Sequence, residues 1–195
     1  MLTQAIAFVV DAIFHLFILA VLVRFWMQVL RAPARNPIAQ FTMGLSDWAV
    51  KPLRRVVPGL FGLDLASLLV AWAGEFVLQV ILLLLAGGDI AGHPNVLSAL
   101  VFLAFVKLIR LSIYVFMGAI FIQAILSWVS RYHPVAPFFE ALARPILRPF
   151  QRAIPLIGGV DISPVIALIA CQLVLMLPVA WMELQALTLI RRALI

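Results

Sequence analysis

Charge is what this chain has least of. Only 11% of its 195 residues are Asp, Glu, Lys or Arg, against 66% apolar ones. A soluble domain averages roughly 25% charged and 45–50% apolar, so the apolar excess must face lipid. Cysteine is nearly absent. The single Cys171 excludes a disulfide within the chain, and inside an apolar run it reads as a buried structural thiol. Three histidines, His15, His93 and His133, form no constellation with it, which excludes a zinc motif. A haem site at His15 lacks a second axial ligand on its face. There is no phosphate-cradling glycine loop, and local spacing gives no nucleophile–base–orienter set. The expectation is a protein with no catalytic residues, cofactor or metal. The N-terminus also lacks a basic n-region and a small-residue cleavage site, so the first apolar run is expected to stay as a helix.

What is present is a duplication. Lys51-Pro52-Leu53-Arg54-Arg55-Val56-Val57-Pro58, followed by Gly62-Leu63-Asp64, returns 97 positions later. There it reads Arg148-Pro149-Phe150-Gln151-Arg152-Ala153-Ile154-Pro155, followed by Gly159-Val160-Asp161. Residues 1–95 and 96–195 are read as two tandem repeats of one membrane domain.

A spanning helix needs roughly 20 mainly apolar residues. Four stretches qualify: Ala5 to Leu30, Leu65 to Ala86, one ending at Trp128, and Ile162 to Ile190. The third is interrupted by Lys107 and Arg110, and from Val96 it would be about 50 Å long. A long tilted helix fits it better than a separate interfacial piece. The fold class is therefore all-α: a polytopic membrane protein, four transmembrane helices in two parallel repeats.

The net charge is +6. Beside apolar runs this signals topology and anionic-lipid contact rather than nucleic acid. Arg31, Arg35, Lys51, Arg54 and Arg55 lie in the first connection, and Arg131, Arg144, Arg148 and Arg152 in the third. Residues 87–95 carry no Lys or Arg. The positive-inside bias makes the two long connections cytoplasmic in a multi-pass protein of the bacterial inner membrane, although Arg191 and Arg192 pull mildly the other way. Both connections are amphipathic. Ile38, Phe41, Leu45 and Trp48 form one apolar stripe; Val135, Phe138, Phe139, Leu142 and Ile146 form the other. Pro52, Pro58, Pro145, Pro149 and Pro155 should cut these segments into short stiff pieces. Gly62 and Gly158-Gly159 allow the turn back into the bilayer. Asp64 and Asp161 are placed to cap the next span.

Lys51, Arg54, Arg55, Arg144, Arg148 and Arg152 are the candidate residues for anionic lipid or a protein partner. Polar residues inside the bilayer form the second candidate set, because each is costly unless paired. Arg24 is expected to reach Glu75, the alternative being that Arg24 snorkels to the headgroups and Glu75 is protonated, with Gln172 as the repeat mate of Glu75 facing it across a pseudo-twofold. Asp11, Lys107, Arg110 and Glu183 read as four separate interfacial charges, with an ion-pair girdle as the alternative. Trp26, Trp128 and Trp181 are expected belt residues.

These residues together resemble the YggT family of bacterial integral membrane proteins, across essentially the whole chain. The resemblance rests on Arg24-Phe25-Trp26-Met27-Gln28, Asn36-Pro37, Pro52 to Pro58 and Asp64 to Leu69 in the first copy. In the second it rests on Leu126-Ser127-Trp128, Pro145 to Arg152 and Gly158 to Pro164. The chain departs from the pattern at Trp48, where a proline is usual, and at Gln151-Arg152, where two arginines are common. Glu75 lies outside the pattern. The resemblance implies no established enzymatic activity. It implies links to osmotic-stress tolerance, to cell division and nucleoid organisation and, in chloroplast relatives, to haem attachment on cytochrome b6. The expected function is a membrane scaffold or assembly factor, acting in envelope organisation or osmotic-stress tolerance on anionic lipid and a cytoplasmic or membrane protein. The alternative is a small oligomeric channel or transporter, and either leaves room for a homo-oligomer.

Overall fold

A computed structural model describes residues 1–57, 59, 63–90, 93–129, 133–154 and 161–193. Pro58, Gly62, Arg131, Pro155 and Gly158-Gly159 lie outside the described residues. Every element is helical: α1 (Leu2–Val29), α2 (Pro37–Arg54), α3 (Leu65–Leu85), α4 (Pro94–Val129), α5 (Ala136–Ala153), α6 (Ser163–Val174), a π-helical turn (Leu175–Val179) and α7 (Ala180–Ala193). Four columns are long and apolar enough to cross a membrane: α1, α3, α4 and the joined α6–π–α7.

The ends of these helices follow from local chemistry. The amide of Ala32 bonds Met27 O at 2.9 Å and that of Arg31 bonds Gln28 O at 3.3 Å, which closes α1 in a Schellman turn. Arg31 takes the left-handed conformation (φ 52°) that such a turn demands. Gly87 (φ 83°) performs the same stop after α3. Asn36 caps α2 by accepting the Ala39 amide at 2.9 Å, with Pro37 at the first helical position. The third apolar stretch is one helix of 36 residues, as the long tilted reading expects. At 1.5 Å per residue it is about 54 Å long, well over the ~30 Å hydrocarbon core. Pro178 lies within the π turn. It has no N–H to donate, and the widened turn absorbs the missing bond without ending the column.

The described prolines of the connections, Pro52, Pro145 and Pro149, do not cut them. Pro52 lies inside α2, and Pro145 and Pro149 inside α5, each an unbroken helix of 18 residues. Each proline removes one intrahelical bond, and the tertiary contacts of the elbows outweigh that loss.

The two repeats are packed differently. In the first, α1 and α3 meet through Ile18, Val21, Leu22, Ala71 and Leu78. Gly74 lets them approach: a Cβ there would stand 3.2 Å from Ile18 Cγ1. In the second, Ala119 and Ile120 of α4 close on Phe138 and Leu142 of α5 and on Cys171 of α6. The repeats join mainly through α3 against α4, with the end of α1 also touching α4 and α5, while α1 has no contact with α6, the π turn or α7 among the described residues. Gln172 is consequently exposed, and Glu75 is wholly buried. The expected meeting of these two side chains at a pseudo-twofold does not occur, because α6, which carries Gln172, makes no contact among the described residues with α3, which carries Glu75.

Nor are the four outer charges separate. Glu183 of α7 accepts from Lys107 Nζ at 2.9 Å and Arg110 Nη1 at 2.6 Å on α4. Asp11 instead holds His15 Nδ1 at 3.2 Å within α1. Helical spacing puts Lys107 and Arg110 on one face, and a single carboxylate between two cations is favoured where solvent is scarce. Trp128 and Trp181 stay exposed as belt residues should, but Trp26 is packed against Phe25 and Phe116. Removing Glu183 alone, as Glu183→Ala, should cost about 3–5 kcal/mol, since it leaves two half-buried cations unpaired. The triple change of Lys107, Arg110 and Glu183 to Met should cost far less. Unfolding in detergent by increasing SDS fraction reads both.

Candidate functional site

The two elbows, α2 and α5, carry the basic candidates, and each is fastened to the span that follows it. Arg54 ends α2 and Asp64 opens α3. Arg54 Nε donates to Asp64 Oδ1 at 3.1 Å, its Nη2 also reaches Asp64 Oδ2, and the same Nη2 donates to Gln28 Oε1 of α1 at 3.0 Å. The Ser67 amide donates to Asp64 Oδ1 at 3.3 Å and the Ser67 hydroxyl to Oδ2. One arginine and one aspartate thus tie three helices together. Asp64 is only 3% exposed. Burial by itself would raise its pKa, but the bonds from Arg54 and Ser67 outweigh that and hold the carboxyl below its usual range. Arg54 is held above its own usual value by the same partner.

The second elbow repeats this clamp with a neutral donor in place of the guanidinium. Gln151 occupies the position of Arg54, and its Nε2 donates to Asp161 Oδ2 at 3.0 Å. The Ser163 amide donates to Asp161 Oδ1 at 2.9 Å. Asp64 is the N-cap of α3 as expected, whereas Asp161 stands one residue before the N-cap Ile162 of α6 and reaches the Ser163 amide from there; this contact with the next span is only part of what they do. The clamp is the feature that sequence reading passed over. A signal for it exists: the ten-residue gap from Arg54 to Asp64 recurs from Gln151 to Asp161.

Arg24 does not pair with Glu75. Its Nη1 donates to Ser46 Oγ at 2.9 Å and to Asp47 Oδ1 at 2.7 Å, both on α2. Lys51 Nζ meets the other oxygen of Asp47 at 2.7 Å. Glu75 takes a bond from Gln79 Nε2 at 2.8 Å, one turn along its own helix. The reason is reach. Arg24 is less than two turns from the end of α1, where α2 folds back beside it. Glu75 lies about 16 Å along α3 from Asp64. The bond from Lys51, and then Arg24, hold the Asp47 carboxyl below its usual range against the cost of desolvation.

The elbows also differ in what they bury. On α5 the expected stripe faces the protein, with Phe138, Phe139 and Leu142 buried. On α2 the buried face is Ala39, Thr42, Ser46 and Val50, while Phe41 and Trp48 of the expected stripe are 62% and 70% exposed. Small residues on the inner face let α2 lie close to α1, and the aromatic ones turn outward beside the apolar wall of α1, where Trp48 packs on Phe17. Of the basic candidates, Lys51 and Arg54 are therefore engaged within the protein. Arg144 bonds Glu140 Oε1 at 3.2 Å. Arg55, Arg148 and Arg152 are exposed, and their side chains have no hydrogen bond or ion pair among the described residues. No group of three or more acidic, His or Cys side chains that could hold a metal ion occurs among the described residues.

The family model described as CCB3/YggT matches residues 3–85 and 102–182. The chain is 35% identical to an uncharacterised protein of Pseudomonas aeruginosa over 178 residues, 90% of this chain and 89% of that one. It is 33% identical to an uncharacterised protein encoded in the proC 3′ region of Vibrio alginolyticus over 170 residues, 87% and 90% of the two chains. It is 32% identical to the uncharacterised protein YggT of Escherichia coli K12 over 164 residues, 84% and 83%. No solved structure matches the chain.

Two neighbouring arginines should respond very differently to truncation. Arg54→Ala should cost about 3 kcal/mol or more, because it strands a buried carboxylate. Arg55→Ala should stay within about 0.5 kcal/mol. A depressed carboxyl pKa gives stability that is present above its unfolded value of about 3.9 and lost as pH falls through the lower folded value. Wild-type stability in detergent should therefore fall from about pH 5 downward as Asp64 takes up a proton, and Asp64→Asn should flatten that fall.

Proposed function

The chain belongs to the CCB3/YggT family, and on that footing we propose that it is a non-enzymatic membrane scaffold or assembly factor. In this reading it lies in the bacterial inner membrane with both elbows on the cytoplasmic side. It holds a basic surface at the inner leaflet and docks a cytoplasmic or membrane protein there. Envelope organisation or osmotic-stress tolerance is the process it would serve. The observation that carries the reading is the clamp repeated at Arg54–Asp64 and Gln151–Asp161. It fixes each elbow to a span, so the exposed arginines are displayed on a rigid frame. Preorganised display of this kind lowers the ordering cost of binding. Loops that only connect spans have no use for it. The basic bias of both elbows supports the cytoplasmic orientation.

Transport is the second reading, and Glu75 is what favours it. This carboxylate is wholly buried, and its Oε2 has no partner among the described residues. A polar group in that position is a default candidate for an ion or proton site.

Two measurements decide between the readings. Photo-cross-linking from the elbows in intact cells should capture a discrete partner, and Arg55→Ala with Arg152→Ala should weaken that capture about tenfold without altering the unfolding midpoint. Capture that ignores both arginines refutes docking at this surface. Proteoliposomes should pass neither ions nor osmolytes; flux that disappears in Glu75→Gln would establish transport instead.

A further inference from the structure

We propose that the second elbow, and not the first, is a binding site for the phosphodiester headgroup of an anionic glycerophospholipid. The proposal deepens the scaffold reading, but it needs no protein partner to be true. Arg144, Arg148 and Arg152 recur at every fourth position along α5, so they lie on one face and span about 12 Å. With Leu30 at the end of α1, and with Pro145 and Pro149, they line a groove of about 290 Å³. Only Arg144 is paired, through one bond to Glu140. Arg148 and Arg152 stand one turn apart with no acidic partner among the described residues. A guanidinium is a planar fork that matches a phosphate in two bonds, and two such forks can hold one phosphodiester.

The first elbow has the same positions filled otherwise. Offset by 97, Arg144 corresponds to Asp47, Arg148 to Lys51 and Arg152 to Arg55. Asp47 is bonded to both Arg24 and Lys51, which leaves Arg55 alone. One elbow has thus turned its charge inward to hold α1, and the other has kept it outward. The two form an internal control for each other.

The groove also speaks to the headgroup. Pro145 and Pro149 have no N–H, so the carbonyls of Ala141 and Pro145 lose their helical donors. Both residues line the groove. A headgroup that brings hydroxyl donors beside its phosphate, as phosphatidylglycerol does, can satisfy them. Phosphatidylcholine has no donor to offer and no net charge. The apolar wall at Leu30 suits the first carbons below the phosphate.

The test compares matched pairs of repeat mates. Full-length protein in phosphatidylcholine nanodiscs is titrated with phosphatidylglycerol, and bound lipid is counted by native mass spectrometry after release. Arg148→Ala with Arg152→Ala should reduce retained phosphatidylglycerol about tenfold or more. Lys51→Ala with Arg55→Ala removes the same charge and should change it less than about twofold. If the alanine variant does not fold, Arg148→Gln with Arg152→Gln takes its place, with the unfolding midpoint as control. Equal losses from the two elbows would mean a diffuse basic surface, and no loss from either would mean no site; each overturns the proposal. Soluble glycerol phosphate should fail to displace the lipid. Displacement at comparable concentration would assign the groove to a free anion and overturn the lipid assignment.

Discussion

A charged group at the edge of a hydrocarbon layer has to be paired, and the Arg54–Asp64 contact is where this protein meets that demand. Asp64 is nearly sealed from solvent, and Arg54 supplies the countercharge from the helix before it. Because the same guanidinium also reaches Gln28, the end of α1, the end of α2 and the start of α3 become one junction. Loss of either partner would strand a charge in surroundings that cannot solvate it. The elbow is thereby a structural element of the membrane domain and not a tether between spans.

Duplication then allowed the two copies to part. The second junction keeps its aspartate and replaces the arginine with Gln151, which needs no countercharge of its own. The first elbow spends Asp47 on Arg24 and Lys51, while the second places Arg144 at that position. At the other end of the molecule the roles are reversed. The second repeat ties α4 to α7 through Lys107, Arg110 and Glu183, while in the first Asp11 meets His15 inside α1. The ion pairs Arg24–Asp47 and Arg54–Asp64 join helices at the elbow end of the first repeat, and those to Glu183 join helices at the other end of the second. α1 packs mainly on α3 and touches α4 and α5 near its end, and its exposed apolar residues, among them Phe8, Ile13 and Leu16, are left to lipid.

The legible part of the fold was set by lengths and periods. Four apolar columns, two amphipathic connections and the 97-residue offset need only counting, because a lipid core imposes a length and a helix imposes a period. The cap at Asp64 was legible for the same local reason. The partner of Arg24 was not. Depth along a helix can be counted, but which neighbour stands at that depth depends on how α2 folds back, and Asp47 lies 23 residues away in sequence. The exposure of Phe41 and Trp48 escaped in the same way. An apolar stripe shows that a helix has two faces, and in a membrane either face can be the outward one.

From the sequence alone came the number of spans and the basic character of the elbows, which follow from local composition and periodicity, and the doubling and the family resemblance, which rest on ordered motifs. Only the tertiary structure decided which charges are consumed and which are displayed. That choice depends on distances between helices far apart in the chain. Arg54 and Arg55 are adjacent and chemically identical, yet one is locked against a buried carboxylate and the other faces outward. The direction each side chain takes from its turn of helix makes the difference.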